Sequence, residues 1–192
     1  MEHRCLPILT PQQMNRELGE DRAVLEKITG KLVSGLSYAY GNWSESVKQA
    51  ARLNGFKYSR TTRATGRFFP PEDFLEWHPT CHSENLIELG KQFLNVPDFY
   101  ELPLMYVWGH SYEFGIPNDW SLMEKFASMM FKKEDTWYAG SLEICEYILA
   151  VRAQEFSADG RKMRNPTALS VWVASDGGVM EVHSGETVHL EE

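Results

Sequence analysis

The tightest constraint on the fold is an alternation of strand, helix and strand signals across residues 32–59. Residues 32–38 form a short apolar run with β-branched character, which reads as a strand. Ser44 caps a helix over 45–54, and Gly55 stops it. Residues 56–59 read as a second short strand. Two strands joined through a helix pair in parallel by a right-handed crossover, so the chain is α/β.

The rest of the chain extends this pattern. Thr10 is an N-cap, Pro11 fits a first turn and Gly30 ends the helix, which predicts a helix over 10–31. Residues 60–83 carry Arg60, Arg63, Arg67, Phe68, Phe69, Trp77, His78, Cys81 and His82 with little periodicity, and read as a long structured loop. Such loops in compact domains are usually functional or disordered, and the aromatic content argues for order. A helix is expected over 83–95. Residues 102–108 are the strongest strand signal, apolar nearly throughout as a buried parallel strand should be. That run ends in Gly109-His110-Ser111-Tyr112-Glu113-Phe114. Asn118 or Asp119 caps a helix to about residue 131, 136–139 reads as a short strand, and 141–155 is a helix with Ile144, Ile148 and Val151 on one face. After Phe156 the character changes. Residues 168–174 and 179–190 are β-like, with turns at Asp176-Gly177-Gly178 and Ser184-Gly185, which predicts a small antiparallel β appendage of three strands. The expected domains are 1–156 and 157–192.

Composition removes several function classes. The chain has 192 residues, 43% hydrophobic and 24% charged, as in a globular domain. Lys plus Arg number 19 against 27 Asp plus Glu, a formal charge of −8. Phosphate backbones need clustered cations, so a nucleic-acid partner is not expected. No apolar run approaches the roughly 20 residues that span a bilayer, so no membrane partner is expected either. The N-terminal residues carry no signal-peptide pattern. Cys5, Cys81 and Cys145 are widely spaced with no CxxC pair, which suits a reducing compartment and makes cytoplasmic the default expectation.

Four constellations can carry chemistry. His110 follows the best strand, and functional side chains gather at the C-terminal ends of parallel strands. Its imidazole suits acid–base work near neutral pH, with Glu113 near enough in sequence to orient it. His78-Pro79-Thr80-Cys81-His82 offers metal ligands or a thiol, although adjacent ligands rarely close a tetrahedral site. His82 is favoured over Cys81 there. A cysteine-dependent hydrolase using Cys81 with His82 or His110 is the alternative. Tyr38-Ala39-Tyr40-Gly41-Asn42 is a turn whose backbone N–H groups can face an oxyanion. His3 taken alone reads as a solvated terminal residue. His183 and His189 read as exposed strand positions, and Trp43, Trp77, Trp108 and Trp120 flank loops where they can line a sugar-sized cleft.

These pieces together resemble the polysaccharide deacetylases of the NodB-homology (carbohydrate esterase 4-like) type. Tyr38-Ala39-Tyr40-Gly41 is similar to the family's third motif, Phe56-Lys57-Tyr58-Ser59-Arg60-Thr61 to the strand after it, and Leu104-Met105-Tyr106-Val107-Trp108-Gly109-His110 to the last motif. Gly109–Phe114 and Thr136-Trp137-Tyr138-Ala139 are similar to a bacterial subgroup with a β appendage. The resemblance implies a distorted (β/α) barrel over 1–156 and hydrolysis of N- or O-acetyl groups on an oligo- or polysaccharide. It implies a divalent metal, commonly zinc, held by an Asp and two His. By position it makes His110 the general acid and Tyr40 the source of the oxyanion N–H. Tyr38, Trp77, His82, Trp108 and Glu113 then shape the substrate site, and His3 becomes a metal ligand. The family's Asp-Asp pair has no counterpart here, because Glu20-Asp21 falls in a predicted helix and the partner of His3 would precede Met1. Ala39 stands where many members have Pro. The expectation is therefore a partial barrel lacking its first strands, incomplete or inactive as this chain alone, with exposed sheet edges that a second copy can cover. The runner-up is a non-catalytic carbohydrate-binding protein of the same fold.

Overall fold

The computed structural model describes residues 4–97, 101–116, 118–175 and 178–190. They form two compact units, divided between Tyr138 and Ala139.

The first unit opens with helix α1 (Pro11–Thr29), for the reason visible in the sequence: the Thr10 hydroxyl accepts from the Gln13 N–H and the Gln13 side chain accepts from the Thr10 N–H. Strand β1 (Gly35–Ser37), helix α2 (Glu45–Leu53) and strand β2 (Tyr58–Arg60) follow, and β1 and β2 pair in parallel with Ser37 opposite Arg60. Ser44 caps α2 by accepting from the Val47 N–H. Trp77 then bridges Arg60 in parallel, and β3 (Cys81–His82) pairs in parallel with β4 (Val107–Trp108) across helix α3 (Leu86–Phe93). Neighbours in space thus follow the order of the chain, and the C-terminal ends of these segments lie on one edge. Among the described residues the array does not close into a barrel.

Two cores hold the array. Met14 and Leu18 of α1 pack with Val47 and Ala51 of α2 beneath Tyr38 and Phe56. Beside them Trp77, 1% exposed, meets Tyr58 and Phe74 edge-on and Tyr106 at 4.2 Å between ring centroids. Buried Lys48 is neutralised by Glu45, Asp73 and Glu76 at 2.9, 3.0 and 3.2 Å.

Two strand expectations are corrected. Only Val107–Trp108 of residues 102–108 forms a ladder, because the segment beside it is irregular and takes single bonds: Leu104 N–H donates to the Phe68 carbonyl and Thr80 N–H to the Tyr106 carbonyl. No strand forms over 136–139. There the Tyr138 hydroxyl donates to the Met130 carbonyl and accepts from the Lys133 N–H, closing the end of helix α5 (Ser121–Met130) instead. The short helix α4 (Tyr112–Gly115) precedes α5.

The second unit is helix α6 (Ser141–Arg152) with two small antiparallel sheets. One joins β5 (Glu155–Phe156), β6 (Lys162–Arg164) and β9 (Thr187–His189), and the other pairs β7 (Val171–Ser175) with β8 (Gly178–Val182). The boundary read from the sequence falls at the end of β5. Among the described residues after 156 four strands stand where three were expected, because β6 is too short to show alternation and points only Met163 inward. Ala150, Met163, Val171 and Val182 are the core of this unit. Asn165, fully buried, donates to the Leu169 and Val182 carbonyls and accepts from Gln154 and Thr167. No helix among the described residues is long and apolar enough to cross a membrane.

Candidate active site

The C-terminal edge of the first unit's array carries a cluster of chemistry-bearing side chains. β2 ends in Arg60, β3 in His82 and β4 in Trp108, and the turn after β4 delivers His110. Helix α4 then folds back, with Glu113 N–H donating to the His110 carbonyl at 3.0 Å. This turn returns the Glu113 carboxylate to the His110 ring, three residues away in sequence.

Glu113 is the hub. Its Oε1 accepts from His82 Nε2 and from His110 Nδ1, both at 3.0 Å, and its Oε2 accepts from the Ser83 hydroxyl at 2.7 Å. Ser83 Oγ also lies 3.2 Å from His82 Nδ1. A hydroxyl has a single hydrogen, and here the carboxylate takes it. His82 Nε2 thus donates to Oε1 while its Nδ1 lies beside the Ser83 hydroxyl. His110 donates from Nδ1, and no hydrogen bond engages its Nε2 among the described residues. Its side chain is 47% exposed, against 22% for Glu113.

Burial by itself raises the Glu113 carboxyl. The hydrogen bonds from Ser83 and from the side chain and backbone of His110, with the charge of His82, outweigh it and hold the group down at about 2. Aromatic rings complete the setting. Trp108 meets His82 edge-on at 4.6 Å, and the exposed Tyr112 ring stacks on His110 at 4.8 Å. Gly109 is closely approached: a Cβ there would lie 3.0 Å from Ser83 Cβ and 3.2 Å from Glu113 Oε2, so both would have to shift slightly.

The site residues expected from the sequence divide into groups. His82, Trp108, His110 and Glu113 are brought together. Tyr38 is in the core, its hydroxyl donating to the Leu75 carbonyl at 2.7 Å, and Trp77 is equally enclosed, so neither ring reaches a ligand. Tyr40 sits exposed in the left-handed region at φ +58°, in the turn after β1. This conformation costs energy for a non-glycine residue and is frequent at functional sites. Gly41 beside it admits Thr62, which a Cβ would strike. His3 lies outside the described residues. Cys81 is 1% exposed, and burial pushes its thiol up to about 11, the reverse of an activated nucleophile, which overturns the cysteine-dependent alternative. Sequence reasoning passed over Ser83 and Arg60. The signal for Ser83 was a hydroxyl next to a histidine at a helix start, and for Arg60 a cation at a strand end.

Among the described residues, His82, His110 and Glu113 are the one group whose ligand atoms converge enough to hold a metal, all within 4.8 Å of one another. They are two His and a Glu, where the resemblance implies an Asp and two His. The group contains no Asp, and the ligand that the resemblance assigns, His3, lies outside the described residues.

A family model described as polysaccharide deacetylase matches residues 1–59 of the 192. That segment includes α1, β1, α2 and the start of β2, and ends before the His82–Glu113–His110 cluster. The comparison with curated proteins and that with solved structures found no match.

Proposed function

We propose that this chain is a deacetylase-type hydrolase acting on acetylated sugars, with His110 moving the proton to the leaving group. The observation that carries the reading is the clamp on His110. Glu113 fixes its Nδ1 and thereby turns the unengaged Nε2 outward from the edge of a parallel array. The family match over residues 1–59 supports the substrate class, and the sequential order of the parallel segments supports part of a (β/α) barrel.

In this reading water adds its oxygen to the acetyl carbonyl carbon and the C–N bond breaks. The departing nitrogen takes a proton from His110 Nε2, and the proton released by the water restores it. Acetate and an amine are the products. Glu113 stabilises the imidazolium of His110 and keeps its ring from turning, while Ser83 and His82 hold Glu113. Tyr40 is proposed to offer its backbone N–H to the developing oxyanion from the turn after β1.

The test is acetate release from chitotriose by the full chain and by His110→Ala. General acid–base groups contribute roughly 10²–10⁴-fold, and the variant is expected to lose rate on that scale. Activity that survives the substitution sinks the reading. A second reading, sugar binding without chemistry, is favoured by the Tyr112 ring, 57% exposed and stacked on His110 as a platform for a sugar face. Chitotriose binding without acetate release would select it.

A further inference from the structure

Three Lys or Arg side chains among the described residues are drawn in from the surface: Lys48 is buried, and Arg22 and Arg60 are half-buried. Taking a charge out of water is costly unless a partner compensates it. Arg22 has Glu26 at 2.8 Å, and Lys48 has three carboxylates. Arg60 has no carboxylate within ion-pair distance among the described residues. The one hydrogen bond of its guanidinium among the described residues runs from Nη1 to the Thr61 carbonyl at 3.1 Å, which leaves the other N–H donors free for solvent or a ligand. Acidic side chains outnumber basic ones in this chain, so a missing partner here is a matter of placement.

The position gives the omission meaning. Arg60 ends β2 on the same edge as the histidine cluster, with its guanidinium carbon 4.6 Å from the centre of the Trp108 ring. The same Trp108 packs against His82 and against His110, at 4.6 and 5.5 Å between ring centroids. The aromatic ring offsets part of the desolvation but supplies no acceptor for the N–H groups. The Trp108 Nε1–H is buried and also without an acceptor among the described residues. Burial pushes the Arg60 guanidinium down from its ordinary value. The half-buried guanidinium thus has donors to offer an anion at this edge, stacked on a ring that supplies no acceptor.

We propose that Arg60 is an anion-reading residue and that the ligand of this edge carries a negatively charged group, a carboxylate or a phosphate, which seats on the guanidinium beside Trp108. The planar fork of Arg pairs with such groups through two parallel hydrogen bonds. The proposal deepens the hydrolase reading and rests on it, since it makes the preferred acetylated sugar an acidic one.

The test follows the Arg Nε–H and Trp indole signals of the full chain by NMR, with Arg60→Gln and Trp108→Phe assigning the two. The probes are glucose, glucuronate and inorganic phosphate. Glucuronate is expected to bind about tenfold tighter than glucose and to move both signals, the usual scale for one charge-assisted pair at an accessible site. In Arg60→Gln, with an otherwise native spectrum, glucuronate falls to the affinity of glucose, while Arg60→Lys keeps part of the difference. Phosphate binding tighter than glucuronate at the same signals assigns the anion to a phosphoryl group. Equal binding of all three probes, or an anion preference kept in Arg60→Gln, overturns the proposal. The two readings fail separately. Loss of acetate release in His110→Ala without any anion preference removes only the role of Arg60. Anion preference with acetate release unaffected in His110→Ala removes only the hydrolase.

Discussion

Replacing Glu113 by Gln isolates the charge at the centre of the site. The side chain keeps its size. Its oxygen can still accept from His82 and His110, and its amide can donate to Ser83, whose hydroxyl turns from donor to acceptor. What disappears is the negative charge, which Ser83, His110 and His82 favour strongly enough to hold the carboxyl at about 2 in place of the usual 4.5. A depressed carboxyl stabilises the folded state fully above the unfolded value of 4.5, and the contribution is lost as pH falls through 4.5 toward 2. At about 1.4 kcal/mol per pH unit the full gap corresponds to about 3 kcal/mol. Because 22% of the side chain reaches solvent, screening leaves about 1–2 kcal/mol. The assay is urea unfolding of both proteins between pH 7 and pH 2, read from tryptophan fluorescence, with Trp77 as the enclosed reporter. Glu113→Gln should be less stable by about 1–2 kcal/mol at neutral pH, and the two curves should converge as pH falls below 4.5. A difference that stays constant down to pH 2, or none at pH 7, would refute the assignment of Glu113 as a shared, charged acceptor.

Gly109→Ala should push Ser83 and Glu113 apart by a few tenths of an ångström and cost about 1–2 kcal/mol in stability, with a loss of acetate release larger than Ser83→Ala causes. Stability curves and rates of the two variants check this, and a Gly109→Ala protein as active as the parent counts against the contact. In the second unit, Asn165→Ala strands the Leu169 and Val182 carbonyls and the Thr167 donors in a buried site, and should destabilise that unit by about 3–5 kcal/mol. Early loss of Trp172 fluorescence on heating reads it, and an unchanged melting temperature would show the network to be dispensable.

Much of the fold was written locally. Thr10, Ser44 and Gly30 act within their own turns, so the caps and extents of α1 and α2 follow from a few neighbouring residues. The parallel pairing of β1 with β2 followed from the helix between them, because a crossover leaves few other arrangements. His110 and Glu113 were legible for the same reason: their contact closes within a single turn.

What crosses the chain was decided only by the tertiary structure. His82 and Ser83 reach Glu113 across about thirty residues of sequence, and no local pattern encodes a shared carboxylate. Tyr38 and Trp77 looked like cleft residues because they flank a turn and a loop. Packing sent them inward, where large apolar rings remove the most surface from water. Residues 102–108 have the composition of a full strand, yet a ladder needs a regular neighbour, and the segment beside it supplies one only at Cys81 and His82. The unpaired Arg60 is a fact of this kind as well. A sequence can list its charges, but which carboxylate stands within reach of a guanidinium depends on where the whole chain has gone.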